Sequence, residues 1–288
     1  MKRILIYCLL VVSGFFIMGG ETVLAAKDKK ALVAVSFGTT FEESRRLDIE
    51  AVEGALQKAF PDRDFKRAFT AKIVIKRMFE NEGVKVDDLE TVLANLQKQG
   101  YNDILIQSTH LTPGEEFNNK IMAVVDNYKN KFAKISVGRP LLTEAQDYDV
   151  AAIALQTQLP VLEKDEVVVF MGHGSPNIHN PSYNLLQESF DKMGIPAVIG
   201  VVEETDHPNY EDMLAKLKST KAKKVMLIPL MLVSGDHANN DMIGEEEDSW
   251  ANMLRAEGYS IRSDMRGTGR NAAIQNIYVM HALEALAK

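Results

Sequence analysis

Cysteine is almost missing from this chain: Cys8 is the one example, and it lies inside an apolar N-terminal stretch. Export permits disulfides, but a chain without thiols beyond that point must draw its stability from burial. Long apolar runs are missing as well. Residues 4–18 form a run too short for a spanning helix, and Gly19-Gly20-Glu21 interrupts it. No basic run occurs and the formal net charge is -7, which argues against nucleic acid as a partner. The phosphate-binding patterns Gly-x-x-x-x-Gly-Lys and Gly-x-Gly-x-x-Gly are both absent, so no nucleotide cofactor is expected.

What is present begins with a leader. Lys2 and Arg3 precede the apolar run, and Val23-Leu24-Ala25-Ala26 offers small residues for cleavage. This reads as a secretory signal peptide over 1–26, with the mature protein starting near Ala26, periplasmic and free of any membrane anchor after cleavage. Cys8 lies too early, and in the wrong context, to serve as a lipoprotein site.

Roughly 260 residues remain, enough for two modest domains. Hydrophobic content of 46% and charged content of 25% suit a globular protein. Short apolar runs alternate with amphipathic stretches, the pattern of a parallel sheet covered by helices. Strands are expected at 31–37, 65–69, 103–108, 134–137, 167–171, 197–202, 224–230 and 259–262. Helices are expected at 41–60, 73–79, 89–99, 120–128, 151–159, 183–192, 210–218, 249–256 and 272–287. The halves echo each other: Val33-Ala34-Val35-Ser36-Phe37-Gly38-Thr39 parallels Val169-Phe170-Met171-Gly172-His173-Gly174-Ser175, with Phe37 where His173 stands. Two similar α/β lobes facing across a cleft follow, 27–143 and 144–288, with the boundary inside 139–149. The last helix can cross back onto the first lobe.

Chemistry concentrates in the second lobe. His173 follows an apolar strand between Gly172 and Gly174, and glycine lets a backbone turn sharply and approach a ligand. His237 lies in Gly235-Asp236-His237-Ala238-Asn239-Asn240-Asp241 after another strand. Its Asn and Asp neighbours can orient the imidazole or cap the next helix. Between them Val201-Val202 runs into Glu203-Glu204, whose side chains point to opposite faces, so one of the two enters the cleft. Buried parallel strands would thus deliver two imidazoles and a carboxylate beyond their carboxyl ends, where open α/β sheets bind ligands. Two His and a carboxylate with open positions suit a divalent ion that is passed on.

In the first lobe, Ser36-Phe37-Gly38-Thr39-Thr40 offers hydroxyls and amides that can hold a carboxylate of an anionic ligand. Arg67 is a source of charge for it. Arg45 and Arg46 read better as a solvated helix face. Gly172-His173-Gly174-Ser175 lacks the elbow of a serine hydrolase. His207 reads as an exposed loop residue, His179 as a candidate for the cleft mouth, and His281 as structural.

The motifs together resemble a family. Ser36-Phe37-Gly38-Thr39, Arg67-Ala68-Phe69-Thr70, Ile106-Gln107-Ser108-x-His110, Pro140-Leu141-Leu142 with Asp147-Tyr148, Phe170-Met171-Gly172-His173-Gly174, and the run from Pro229 through His237 to Met242 resemble the sirohydrochlorin cobaltochelatases of the CbiK type, the anaerobic cobalt chelatases of cobalamin synthesis. The resemblance runs over essentially the whole mature chain. It implies a class II chelatase fold, two flavodoxin-like lobes with parallel sheets around a tetrapyrrole cleft. It also implies ATP-independent insertion of Co2+ into sirohydrochlorin, and the affinity order of divalent ions admits Fe2+ as well. The family's metal site falls on His173, His237 and Glu203; the substrate contacts expected beside it are Ser36, Phe37, Gly38, Thr39, Arg67, Gly172 and Gly174. An exported start departs from a cytoplasmic pathway, which keeps a second reading open: a periplasmic metal- or haem-binding or transport protein. His110 bears on that reading. It is either a hydrogen-bonded rim histidine or an exposed axial ligand to haem, which a symmetric homo-oligomer could offer in pairs.

Overall fold

The computed structural model describes residues 28–175 and 180–288. The expected leader and His179 lie outside the described residues. No helix among those described is long and apolar enough to cross a membrane.

Eight strands build two four-stranded parallel sheets. The first holds β1 (Lys30–Ser36), β2 (Asp64–Phe69), β3 (Asp103–Ser108) and β4 (Lys134–Gly138), ordered β2-β1-β3-β4. The second holds β5 (Glu166–Gly172), β6 (Ala197–Val201), β7 (Lys224–Pro229) and β8 (Ser260–Ser263), ordered β6-β5-β7-β8. The two orders are the same, so the repeat seen in the sequence is a repeat of topology. The central strands are apolar because helices cover both faces: β5 is buried from end to end, and β1 is buried after Lys30. The edge strands β2 and β8 are largely uncovered, which explains their weaker apolar signal. In each sheet the order reverses between its first and third strands. That reversal is the crevice where doubly wound sheets bind ligands.

The lobes share a core. Leu32 and Leu105 of the first sheet and Val168 and Phe170 of the second belong to one apolar cluster with Ile274 and Tyr278 of the last helix, Ala272–Ala287. This helix packs on β3 and β4, as the sequence suggested. The Tyr278 hydroxyl donates to the Thr109 carbonyl at 2.9 Å.

An ion-pair network pins the helix Ala145–Gln156 to both lobes. Arg139 donates to both Asp147 oxygens, at 2.8 and 2.7 Å, and His281 contacts Asp147 at 3.3 Å. Burial alone would raise the Asp147 carboxyl, but the hydrogen bonds from Arg139, His281 and the Glu144 amide hold it well below the carboxylate range. Glu144 and Asp147 also form a capping box. The helix therefore begins well before residue 151, where apolar periodicity placed its start. His281 is structural, as expected.

A second clamp joins the lobes beside the strand ends. Residues 42–59 form one helical run with a π-helical turn at Arg45–Ile49, which carries Asp48. Asp48 is fully buried and accepts the Ser234 N–H at 3.2 Å and Arg270 Nε at 2.7 Å. The Ser44 hydroxyl donates to the Ser234 carbonyl at 2.6 Å. Both polar groups of the Ser234 backbone, three residues before His237, are thus held by the first lobe.

Candidate metal and tetrapyrrole site

His173 follows β5 directly, and His237 leads a π-helical turn, Ala238–Met242, beyond β7. These strands are neighbours in the sheet. The two imidazoles meet edge to face with ring centroids 4.6 Å apart. They keep 43% and 38% of their side-chain surface exposed, so an ion can reach them from solvent.

The partners of each ring fix its tautomer. His173 Nδ1 lies 3.1 Å from the Gly174 carbonyl oxygen. A carbonyl only accepts, so Nδ1 carries the proton. His237 Nδ1 lies 2.6 Å from Asp241 Oδ2, and the same logic applies. Asp241 therefore orients the imidazole, while Asn239 returns its amide to the Gly235 carbonyl at 2.7 Å. The Nε2 lone pair of each histidine is left for a ligand.

Glu203 lies just past β6, with its Oε1 3.9 Å from His173 Nδ1. Its carboxylate is partly buried, whereas Glu204 is exposed. The expected trio is brought to one strand edge, but it is not pre-assembled. Among the described residues no three His, Cys, Asp or Glu side chains converge on one ion position. Glu203 flanks the protonated side of the His173 ring, so shared ligation needs a rotation of either side chain.

Gly172 and Gly174 serve the backbone. A Cβ on Gly172 would stand 2.5 Å from the Tyr183 ring, and Gly174 has φ of +85° with Val201 and Glu203 packed where its Cβ would be. These glycines shape the turn that presents His173. Tyr183 is buried, and burial pushes its hydroxyl up to about 12.

In the first lobe the Ser36–Thr40 loop is engaged with its surroundings. Ser36 Oγ is buried and accepts from Thr109 Oγ1 at 2.8 Å. Thr39 Oγ1 accepts the Phe41 amide at 3.2 Å. Gly38, at φ +98°, lies against the Phe69 ring. The loop presents the Phe37 ring, 46% exposed. It also touches the other lobe: Thr39 Oγ1 lies 3.5 Å from where a Gly235 side chain would begin. Arg67 is not delivered to this edge. It sits two residues short of the end of β2 and is paired with Glu50 and Glu53. Arg45 is buried and paired with Glu82, rather than solvated, and Arg46 is exposed.

His110 is not an exposed axial ligand. Its Nδ1 contacts Ser108 Oγ at 3.0 Å and its Nε2 is buried without a partner. Burial depresses its pKa to about 4. In this conformation Nε2 is closed off, and the contacts are those of a hydrogen-bonded rim histidine. His207 is exposed and bonded to Asp212 at 2.6 Å, which raises its pKa.

Residues 30–287 match the family model described as Cobalt chelatase (CbiK). A sirohydrochlorin cobaltochelatase of Salmonella typhimurium is 37% identical over 258 residues, covering 90% of this chain and 97% of the relative. The sirohydrochlorin cobaltochelatase CbiKC of Nitratidesulfovibrio vulgaris is 28% identical over 264 residues, covering 90% and 91%. Among solved structures, the sirohydrochlorin chelatase SirB from Bacillus subtilis subspecies spizizenii in complex with cobalt shares the fold, with a TM-score of 0.56 at 17% identity over 89% of this chain and 95% of that one. A match over nearly the whole described chain, and a relative at this identity, place the protein in the cobalt chelatase (CbiK) family.

Proposed function

We propose that this protein inserts Co2+ into sirohydrochlorin without ATP, and that His173, His237 and Glu203 hand over the ion. The observation that carries this reading is the pair of facing imidazoles, each with Nδ1 engaged and Nε2 free, at the ligand edge of the second sheet. Imidazole and carboxylate suit a borderline divalent ion such as Co2+, and Fe2+ fits the same donors. Transfer requires that these donors release the ion to pyrrole nitrogens. Insertion expels two N–H protons, and the Glu203 carboxylate beside the ring edge is a fitting acceptor. The exposed Phe37 ring, at the position that mirrors His173, supports a macrocycle seated between the lobes. Rate would come from proximity and from stripping water off the ion.

The test is an absorbance assay with sirohydrochlorin and Co2+ and no nucleotide. Formation of the cobalt chelate at a rate proportional to enzyme is expected. A rate equal to the enzyme-free control, or a requirement for ATP, would remove the reading.

The leader supports a further proposal, that the protein is exported and works in the periplasm. Mass spectrometry of protein from its native source should give an N-terminus near Ala26, in the periplasmic fraction. An intact Met1 in cytosolic material would sink export.

A further inference from the structure

Asp206 is fully buried in the loop after β6, and its carboxylate gathers backbone amides. Oδ2 accepts the Ser175 N–H at 2.8 Å. Oδ1 accepts the Asn180 N–H at 3.1 Å and the His207 N–H at 2.8 Å. The Ser175 N–H and the Gly174 carbonyl are the two ends of one peptide unit. That carbonyl is the acceptor for His173 Nδ1 at 3.1 Å. A planar peptide transmits polarisation from one end to the other, because resonance couples its nitrogen to its oxygen. Carboxylate, peptide and imidazole therefore stand in line.

The same strand-end loop braces the turn elsewhere. The Glu203 amide donates to the His173 carbonyl at 3.0 Å, and the Tyr183 hydroxyl accepts the Gly174 N–H at 3.4 Å. His237 reaches its own carboxylate directly, through Asp241 at 2.6 Å.

We infer that Asp206 is a positioning residue for His173, acting through the Gly174–Ser175 peptide as Asp241 acts directly on His237. It orients the ring with Nε2 toward the ion and makes that nitrogen a stronger donor. The inference rests on His173 being a ligand of the incoming ion.

Asp206→Asn tests it, with Co2+ binding followed by the visible spectrum of the protein-bound ion in the absence of tetrapyrrole. The variant should bind Co2+ about 10- to 100-fold more weakly, with a changed spectrum. In a His173→Ala background the same substitution should cost nothing further. Wild-type affinity in folded Asp206→Asn would overturn the inference, and so would an equal loss in both backgrounds, which a purely structural role produces. Should the variant fail to fold, nitrogen-15 spectra of the wild-type histidines decide: His173 must be protonated at Nδ1, and protonation at Nε2 overturns it. If His173→Ala itself binds and inserts Co2+ normally, the proposed site falls and Asp206 falls with it. An impaired His173→Ala beside a normal Asp206→Asn rejects Asp206 alone.

Discussion

His173→Ala and His237→Ala should each lower kcat/KM for cobalt insertion by more than about 100-fold, since loss of a mere outer partner of a metal ligand already costs about 10- to 100-fold. The fold should survive both. Each imidazole stands at the strand edge with much of its surface in water, and the buried strands below it are untouched. Substitutions at such positions typically change stability by about 0.5 kcal/mol or less. Loss of activity with an unchanged thermal midpoint is the expected pairing. The clamp that places His237 adds a contrast. Ser234 is held by Ser44 and Asp48 of the first lobe, so damage there should move stability and metal binding together. The two histidines should move metal handling alone. Turnover at the wild-type rate in either purified variant would remove that histidine from the mechanism.

The sheets were legible in the sequence because parallel strands buried on both faces need an apolar centre, and β1, β3, β5 and β7 carry the runs Ala31–Val35, Ile104–Ile106, Val167–Met171 and Val225–Ile228. The histidines were legible because each closes such a run beside glycines. What escaped was set by long-range pairing of charge. Asp147 interrupts the apolar period of its helix, yet Arg139 and His281 make its burial tolerable and the helix continues through it. Asp48 lies within the helix expected at 41–60, and its burial depends on Arg270, far away in sequence, being folded onto it. Arg67 reads as free charge until the helix before it supplies Glu50 and Glu53. Tyr183 and Asp206 left no local signal: the space for the tyrosine ring is recorded only as a glycine at position 172, and the carboxylate of Asp206 serves amides that any residue would carry. The Ser36–Thr39 loop hides a related pairing: its two hydroxyl oxygens accept a cross-strand and a local bond that the sequence does not show.

Glu203→Gln should lower kcat by about 10- to 100-fold, whereas Glu204→Gln should stay within about twofold of wild type, on the scale of an ordinary surface change. The two residues are adjacent and chemically alike, so orientation alone separates them. The Glu203 backbone is fixed by its N–H bond to the His173 carbonyl, and its Cβ packs into the space left by Gly174. That geometry brings its carboxylate to 3.9 Å from the His173 ring. Glu204 points to solvent, and its carbonyl accepts from Asn209 Nδ2 at 3.3 Å. Glutamine keeps the shape of Glu203 but removes the negative charge and the proton acceptor. The loss should therefore appear in kcat as well as in the KM for Co2+, and raising the metal concentration should not restore the rate. Full rescue by excess Co2+ would show that Glu203 only gathers the ion and takes no proton from the macrocycle. An inactive Glu204→Gln beside an active Glu203→Gln would put the chain past Val201 one residue out of step with this geometry, and the carboxylate facing the two imidazoles would be the wrong one.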